Sequence, residues 1–76
     1  MRPEQCRAAR GWLDWTQADL AAAAGVSLST VRDFEKGRRV PIPANRLMIE
    51  AALVGAGIGF SFAAGQASGI TFAKPT

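Results

Sequence analysis

The stretch Thr16-Gln17-Ala18-Asp19-Leu20-Ala21-Ala22-Ala23-Ala24-Gly25-Val26-Ser27-Leu28-Ser29-Thr30-Val31-Arg32-Asp33-Phe34-Glu35-Lys36-Gly37 reads as two short helices hinged at Gly25. Each helix carries its own start signal. Thr16 is placed to N-cap the first, with Asp19 three residues on as an acidic capping-box partner, and Trp15 and Leu20 occupy the staple positions. Ser27 is placed to cap the second, with Val26 and Val31 as its staple. Gly25 and Gly37 follow the two helices, where a left-handed residue costs glycine no Cβ clash. Leu20, Ala21, Ala24, Val26, Val31 and Phe34 make the apolar face, and the small Ala21 lets the second helix cross close to the first. Two helices set at a fixed angle in this way present one of them to a DNA major groove.

Further helices flank this unit. The first runs from about Pro3, a suitable first helical residue, to Leu13. The motif helices span Gln17 to Ala24 and Leu28 to Lys36. Val40-Pro41-Ile42-Pro43 reads as a stiff, extended connection, because each proline drives its predecessor out of the α region. A fourth helix follows from about Ala44 to Gly55. Leu47, Ala51 and Val54 share one face of it, with Met48 and Ala52 widening that face. Trp12 and Trp15 read as core or shoulder packing, with Trp12 the more exposed. Cys6, spaced with Ala9 and Leu13 on the first helix, reads as a buried thiol.

The chain has 76 residues, enough for one domain with a modest core that oligomerisation would help to stabilise. Its net charge of +3 suits a polyanionic partner. The distribution says more: Arg32, Lys36, Arg38, Arg39 and Arg46 bracket the second motif helix and the loop after it. Cations placed this way neutralise phosphates, release counterions and give salt-sensitive affinity. A lone cysteine allows no internal disulfide and no cysteine cluster for zinc. The polar N-terminus shows no cleavable signal, so a reducing cytoplasm is expected.

These features resemble the helix-turn-helix of the phage-repressor (Xre/Cro-like) family over residues 3 to about 55. The family expects Gln at the first turn of the first motif helix, a small residue at 21 and Gly at 25. It also expects aliphatics at 20, 26 and 31 and an apolar residue at 34, and Gln17 and the rest agree. The family often pairs an Arg late in the preceding helix with a Glu ending the recognition helix, and Arg10 and Glu35 fill those places. The resemblance implies that Leu28, Ser29, Arg32 and Asp33 approach base edges. Arg32 can grip guanine O6 and N7 with two bonds, Leu28 can touch a thymine methyl, and Ser29 can donate or accept. Asp33 can accept from a cytosine amino group or hold Arg32 or Lys36 in place. Gln17, Ser27, Lys36, Arg38 and Arg39 are read as phosphate binders, and Arg10 with Glu35 as a structural ion pair.

The last third departs from that family. No charge occurs from Ala51 to Ala73. A membrane span there would have to absorb glycines at 55, 57, 59, 65 and 69, each costing about 1 kcal/mol against alanine. The Gly55-x-x-x-Gly59 and Gly65-x-x-x-Gly69 spacings are weak membrane signals by themselves. The favoured reading is a β-hairpin. Ile58, Phe60 and Phe62 alternate with small residues, Ile70 and Phe72 do the same, and residues 63 to 68 form the loop.

The expected fold is therefore mainly α: a four-helix phage-repressor-like helix-turn-helix domain over 1–56, then a short C-terminal β-hairpin over 57–76 that serves packing or dimerisation. The expected function is sequence-specific binding of double-stranded DNA as a small transcriptional repressor, acting as a homodimer without cofactor, metal or membrane. A dimer built on the C-terminal strands, with or without the fourth helix, would set recognition helices about 34 Å apart. The alternative is an antitoxin or adaptor that binds a protein partner through its apolar C-terminal segment. An enzyme is disfavoured: there is no histidine or tyrosine, no phosphate-cradling glycine loop and no carboxylate pair in a plausible cleft.

Overall fold

The computed structural model describes residues 1–38, 40–63 and 66–72. Four helices, α1 (Pro3–Leu13), α2 (Gln17–Ala24), α3 (Leu28–Glu35) and α4 (Pro43–Gly55), precede two strands, β1 (Ile58–Ala63) and β2 (Gln66–Phe72). The mainly helical fold with a C-terminal hairpin agrees with the expectation from sequence.

Local chemistry explains the helix boundaries. Thr16 accepts from the Asp19 N–H at 3.0 Å while Asp19 accepts from the Thr16 N–H at 2.9 Å, a closed capping box. Ser27 accepts from the Thr30 N–H at 3.2 Å. Gly25 ends α2 at φ +71°, and its N–H and that of Val26 bond back to Ala22 and Ala21 carbonyls. Helix α3 stops one residue earlier than expected: Lys36 is its C-cap, and Gly37 takes φ +69°. Helix α4 starts one residue earlier, because Pro43 fills its first turn, where no N–H is needed.

Among the described residues the core is Cys6, Ala9, Leu20, Ala21, Ala24, Val31, Phe34, Ile49, Leu53 and Ile58, drawn from all four helices and β1. Trp15 and Val26 pack against it partly buried, and Trp12 is 61% exposed. The face expected inward on α4 points outward instead. Leu47, Met48 and Val54 are exposed, as is Ala51, while Ile49 and Leu53 are fully buried. The reason lies in the helix itself. It is apolar on two sides, so the helical period alone selects neither. Ile49 and Leu53 put two large groups one turn apart beside the small Ala52, and α4 packs chiefly on α2, whose buried Ala21 and Ala24 leave room for that bulk.

The hairpin pairs antiparallel, with Ile58 opposite Phe72, Gly59 opposite Thr71 and Phe60 opposite Ile70. The pairing shifts between Ser61 and Phe62, so Ser61 faces Gly69 and Phe62 faces Ala67. This bulge takes up one extra residue and lets the ladder continue to Ala63 and Gln66, so the connection is shorter than the 63–68 loop expected from sequence. The hairpin folds back on its own chain: Ile58 is buried, and Phe60 and Ile70 pack against the core. The Phe62 and Phe72 side chains, counted in the expected apolar face, lie outside the described residues.

One side chain ties the hairpin down at its irregular point. Gln5, buried on α1, donates from Nε2 to the Ser61 carbonyl at 3.1 Å and the Gly69 carbonyl at 2.9 Å. Its Oε1 accepts from the Arg2 N–H at 2.9 Å. Both amide hydrogens are thereby used on carbonyls flanking the bulge.

Candidate nucleic-acid interface

Helix α3 is held from behind by a polar hub on Glu35. The carboxylate, 2% exposed, accepts two parallel bonds from Arg10: Nε to Oε2 at 2.6 Å and Nη2 to Oε1 at 2.6 Å. Gln17 Nε2 donates to Oε1 at 3.1 Å, and Cys6 Sγ donates to Oε2 at 3.2 Å. Four donors fill the acceptor sites of an ionised carboxylate, so no buried lone pair goes wanting. Arg10 Nη1 also donates to the Trp15 carbonyl at 3.0 Å, and Arg7 Nη1 donates to the Glu35 carbonyl. The end of α3 is thus fixed against α1 and the start of α2 together.

The titration of the hub follows from these contacts. Burial pushes the Glu35 carboxyl up, but hydrogen bonds from Arg10, Gln17 and Cys6, together with the Arg10 charge, hold it below the usual carboxylate range. The same carboxylate raises the Arg10 guanidinium against the opposing effect of burial. Burial, more than its bond to Glu35, pushes the Cys6 thiol well above its ordinary value. Cys6 is an uncharged donor in the core.

The outer face of α3 is free for a ligand. Leu28, Ser29, Arg32 and Lys36 are exposed, as are Ser27 before the helix and Arg38 after it. Among the described residues the ion pairs are Arg2–Glu4 and Arg10–Glu35, so Arg32, Lys36, Arg38 and Arg46 carry their charge unpaired. Ser27 Oγ lies 3.1 Å from Ser29 Oγ and 2.8 Å from Thr30 Oγ1, a small hydroxyl cluster at the helix start. Asp33 is half-buried and pairs with neither Arg32 nor Lys36 among the described residues. It lines a groove of about 220 Å³ with Ser29, Thr30 and Asn45, against the Val40–Ile42 connection. The Asp33 carbonyl also accepts from the Arg38 N–H at 3.0 Å, which holds the start of that loop.

The structure therefore separates the residues expected at the site. Ser27, Leu28, Ser29, Arg32, Lys36 and Arg38 are all exposed. Gln17, expected at a phosphate, instead turns its side-chain amide inward, because Glu35 has an acceptor site that Arg10 and Cys6 do not fill. Arg39 lies outside the described residues. Sequence reasoning missed Thr30 and Asn45 in the groove and Gln5, Cys6 and Arg7 in the supporting contacts. The only available sign was a glutamine among the inward positions of the first helix.

Among the described residues no helix is long and apolar enough to cross a membrane, and no group of three or more His, Cys, Asp or Glu is placed to hold a metal ion. No curated protein matches the chain. A family model described as helix-turn-helix matches residues 7–47, more than half of the chain and all of α2 and α3. With the capped helix pair, its glycine hinge and an exposed basic second helix in place, the chain belongs to the Xre/Cro-like helix-turn-helix family and is a DNA-binding transcription regulator.

Proposed function

We propose that this regulator is a repressor that reads a specific duplex sequence with α3 in the major groove and acts as a homodimer. The observation that carries the reading is the division of α3 into two faces. Its inner face is locked through Val31, Phe34 and Glu35, and its outer face presents Arg32 unpaired and exposed beside Ser29 and Leu28. A rigid back and a chemically free front are what base recognition needs. In this reading Arg32 grips a guanine, Leu28 meets a thymine methyl and Ser29 completes the contact. Asp33 accepts from a cytosine at the edge of the groove. Ser27, Lys36, Arg38 and Arg39 hold phosphates, together with the backbone at Gln17. In this reading repression follows from steric occupation of the duplex by the bound domain.

Selection of bound sites from random duplexes, followed by a salt titration, tests this. A pair of half-sites about one helical turn apart is expected. Arg32→Ala should weaken binding by about 1–3 kcal/mol and relax one base position, whereas Lys36→Ala should weaken all sequences alike and lower the salt slope by about 1. Recovery of no preferred sequence, or equal effects of the two variants on specificity, overturns the reading.

One observation favours a second reading, an adaptor or antitoxin. The segment from Val40 to Val54 exposes Val40, Ile42, Leu47, Met48 and Val54, more apolar surface than DNA binding requires. Co-purification of a stoichiometric protein from the native host, with no DNA selected, would support it over repression.

A further inference from the structure

The connection from α3 to α4 borders two grooves. One holds Asp33; the other, of about 270 Å³, has no part in the functional reading above. It gathers Met1, Pro3, Phe34 and Val40 with two arginines, Arg2 and Arg46. Residues of limited conformational freedom shape it. Pro3 and Pro41 fix their own φ, and Gly37 turns the chain out of α3 at φ +69°. A Cβ built on Gly37 would meet nothing within 4 Å, so the space beside it is open. Apolar surface is left uncovered there, chiefly at Val40, which is 89% exposed.

The charge around this apolar surface has one sign. Among the described residues that line the groove, Arg2 and Arg46 are cationic and none is acidic. Both arginines are exposed. Arg46 has no ion pair among the described residues, not even with Glu50 one turn along α4. Arg2 gives Glu4 a single bond from Nε at 3.2 Å, which uses one of the five donors of a guanidinium. An apolar surface edged by cations with free donors is complementary to an amphipathic anion. The body displaces water from Val40 and Phe34, and the head accepts charge-assisted bonds from a guanidinium. We infer that this groove is a binding site for a small carboxylate carried on an apolar body. Inorganic phosphate would leave the apolar part uncovered, and a neutral apolar molecule would leave the arginines unused.

The volume sets the size of the occupant. It falls just under the roughly 300–1,000 Å³ of sites for drug-sized ligands, which corresponds to about ten non-hydrogen atoms. A ligand that small, in a groove half open to solvent, binds with a Kd on the order of 0.1–1 mM. Its position has a consequence for DNA binding. Gly37 and Val40 line the groove on either side of Arg38, one of the cations assigned to phosphate, so occupancy and duplex binding share a segment. A bound carboxylate adds negative charge beside that segment and should weaken duplex binding. By linkage the duplex should weaken carboxylate binding to the same degree. This coupling rests on the DNA reading above; the site itself does not.

Amide chemical shifts of the isotope-labelled full chain near neutral pH, where a carboxylate is ionised, provide the test. Octanoate is the probe, octanamide its neutral counterpart, and acetate the charge without the apolar body. Octanoate should move the Phe34, Gly37 and Val40 resonances saturably, and octanamide and acetate should each bind at least about tenfold more weakly. Arg46→Gln, at an exposed position, should weaken octanoate at least about fivefold, and Val40→Asp, which sets a like charge on the groove, should abolish its binding. Equal binding of octanamide reduces the site to apolar adhesion, and equal binding of acetate reduces it to a simple anion patch. Shifts centred on Val54 place octanoate on the outer stripe of α4 instead. Each of these three results overturns the inference. In titrations of a labelled duplex at low salt, saturating octanoate should lower affinity at least about threefold against acetate at equal ionic strength. An unchanged affinity overturns the coupling and leaves the site standing. A chain that binds no duplex at all overturns the DNA reading, and the coupling with it.

Discussion

Helices α3 and α4 pose the same problem to a reader of the sequence and resolve it differently. In α3 the large apolar residues Val31 and Phe34 fall on one side and Ser29, Arg32 and Lys36 on the other, so its buried face follows from the pattern. In α4 two apolar stripes compete, Leu47-Ala51-Val54 and Ile49-Leu53, and tertiary packing chooses the second. The contrast shows that periodicity locates a buried face only when the opposite face is polar. Where both are apolar, packing decides which stripe is buried, and a substitution behaves differently depending on which stripe it strikes.

The largest effect should come from the hub that sets α3. Glu35→Ala removes the acceptor for Arg10, Gln17 and Cys6 at once and leaves a partly buried guanidinium uncompensated. Breaking such a pair costs about 3–5 kcal/mol, which for a domain of this size lowers Tm by at least about 12 °C. Thermal denaturation followed by circular dichroism reads it; a loss under about 1 kcal/mol would show that α3 is held by its apolar contacts alone. The pH dependence has a definite sign. The Glu35 carboxyl titrates lower in the fold than in the unfolded chain. Its contribution is therefore complete above the unfolded value of about 4.3 and fades as pH falls through the lower folded value. Urea unfolding from pH 7 to 3 should show a steeper acid loss for wild type than for Glu35→Gln.

Next comes the contest within α4. Ile49→Ala opens a cavity in the core and should cost about 2–5 kcal/mol at every protein concentration. Leu47→Ala removes a similar volume from a position 58% exposed, so it should cost under about 1 kcal/mol. Equal losses at the two positions would erase the distinction between the stripes.

A smaller effect should follow at Gln5. Its side chain donates to two carbonyls at the hairpin bulge, so Gln5→Ala leaves both short of a partner at a cost of about 1–3 kcal/mol. The loss should be local before it is global, with amide exchange accelerating across Gly59–Phe62 and Gly69–Thr71 while α2 and α3 keep their protection. Uniform acceleration would mean that the hairpin and the helices open as one unit.

How much could be read from the sequence follows the same division. The caps at Thr16 and Ser27, the hinge at Gly25 and the buried faces of α2 and α3 depend on neighbours within a few residues, and all were legible. So was the hairpin, from its alternation. The α4 face, the bulge and the Gln5 contacts depend on partners far along the chain, and no local spacing encodes them. At the interface, exposure of Ser29 and Arg32 followed from the helical period, but the inward turn of Gln17 depended on an unfilled acceptor of Glu35, eighteen residues away.

The smallest effect on stability should be at Arg32, and its smallness separates reading DNA from holding the reader in place. Arg32 sits one turn before Lys36 on the outer face of α3, exposed and without an ion pair among the described residues. Truncating such a side chain removes no buried contact, so Arg32→Ala should melt within about 0.5 kcal/mol of wild type. Its binding should nevertheless fall, with one base position relaxed. Glu35→Ala should do the reverse, weakening every sequence alike and in proportion to its lost stability, because it touches no base and only loosens the helix that does. If Arg32→Ala melted as early as Glu35→Ala, the two faces of α3 would not be independent, and the free outer surface would be part of the scaffold.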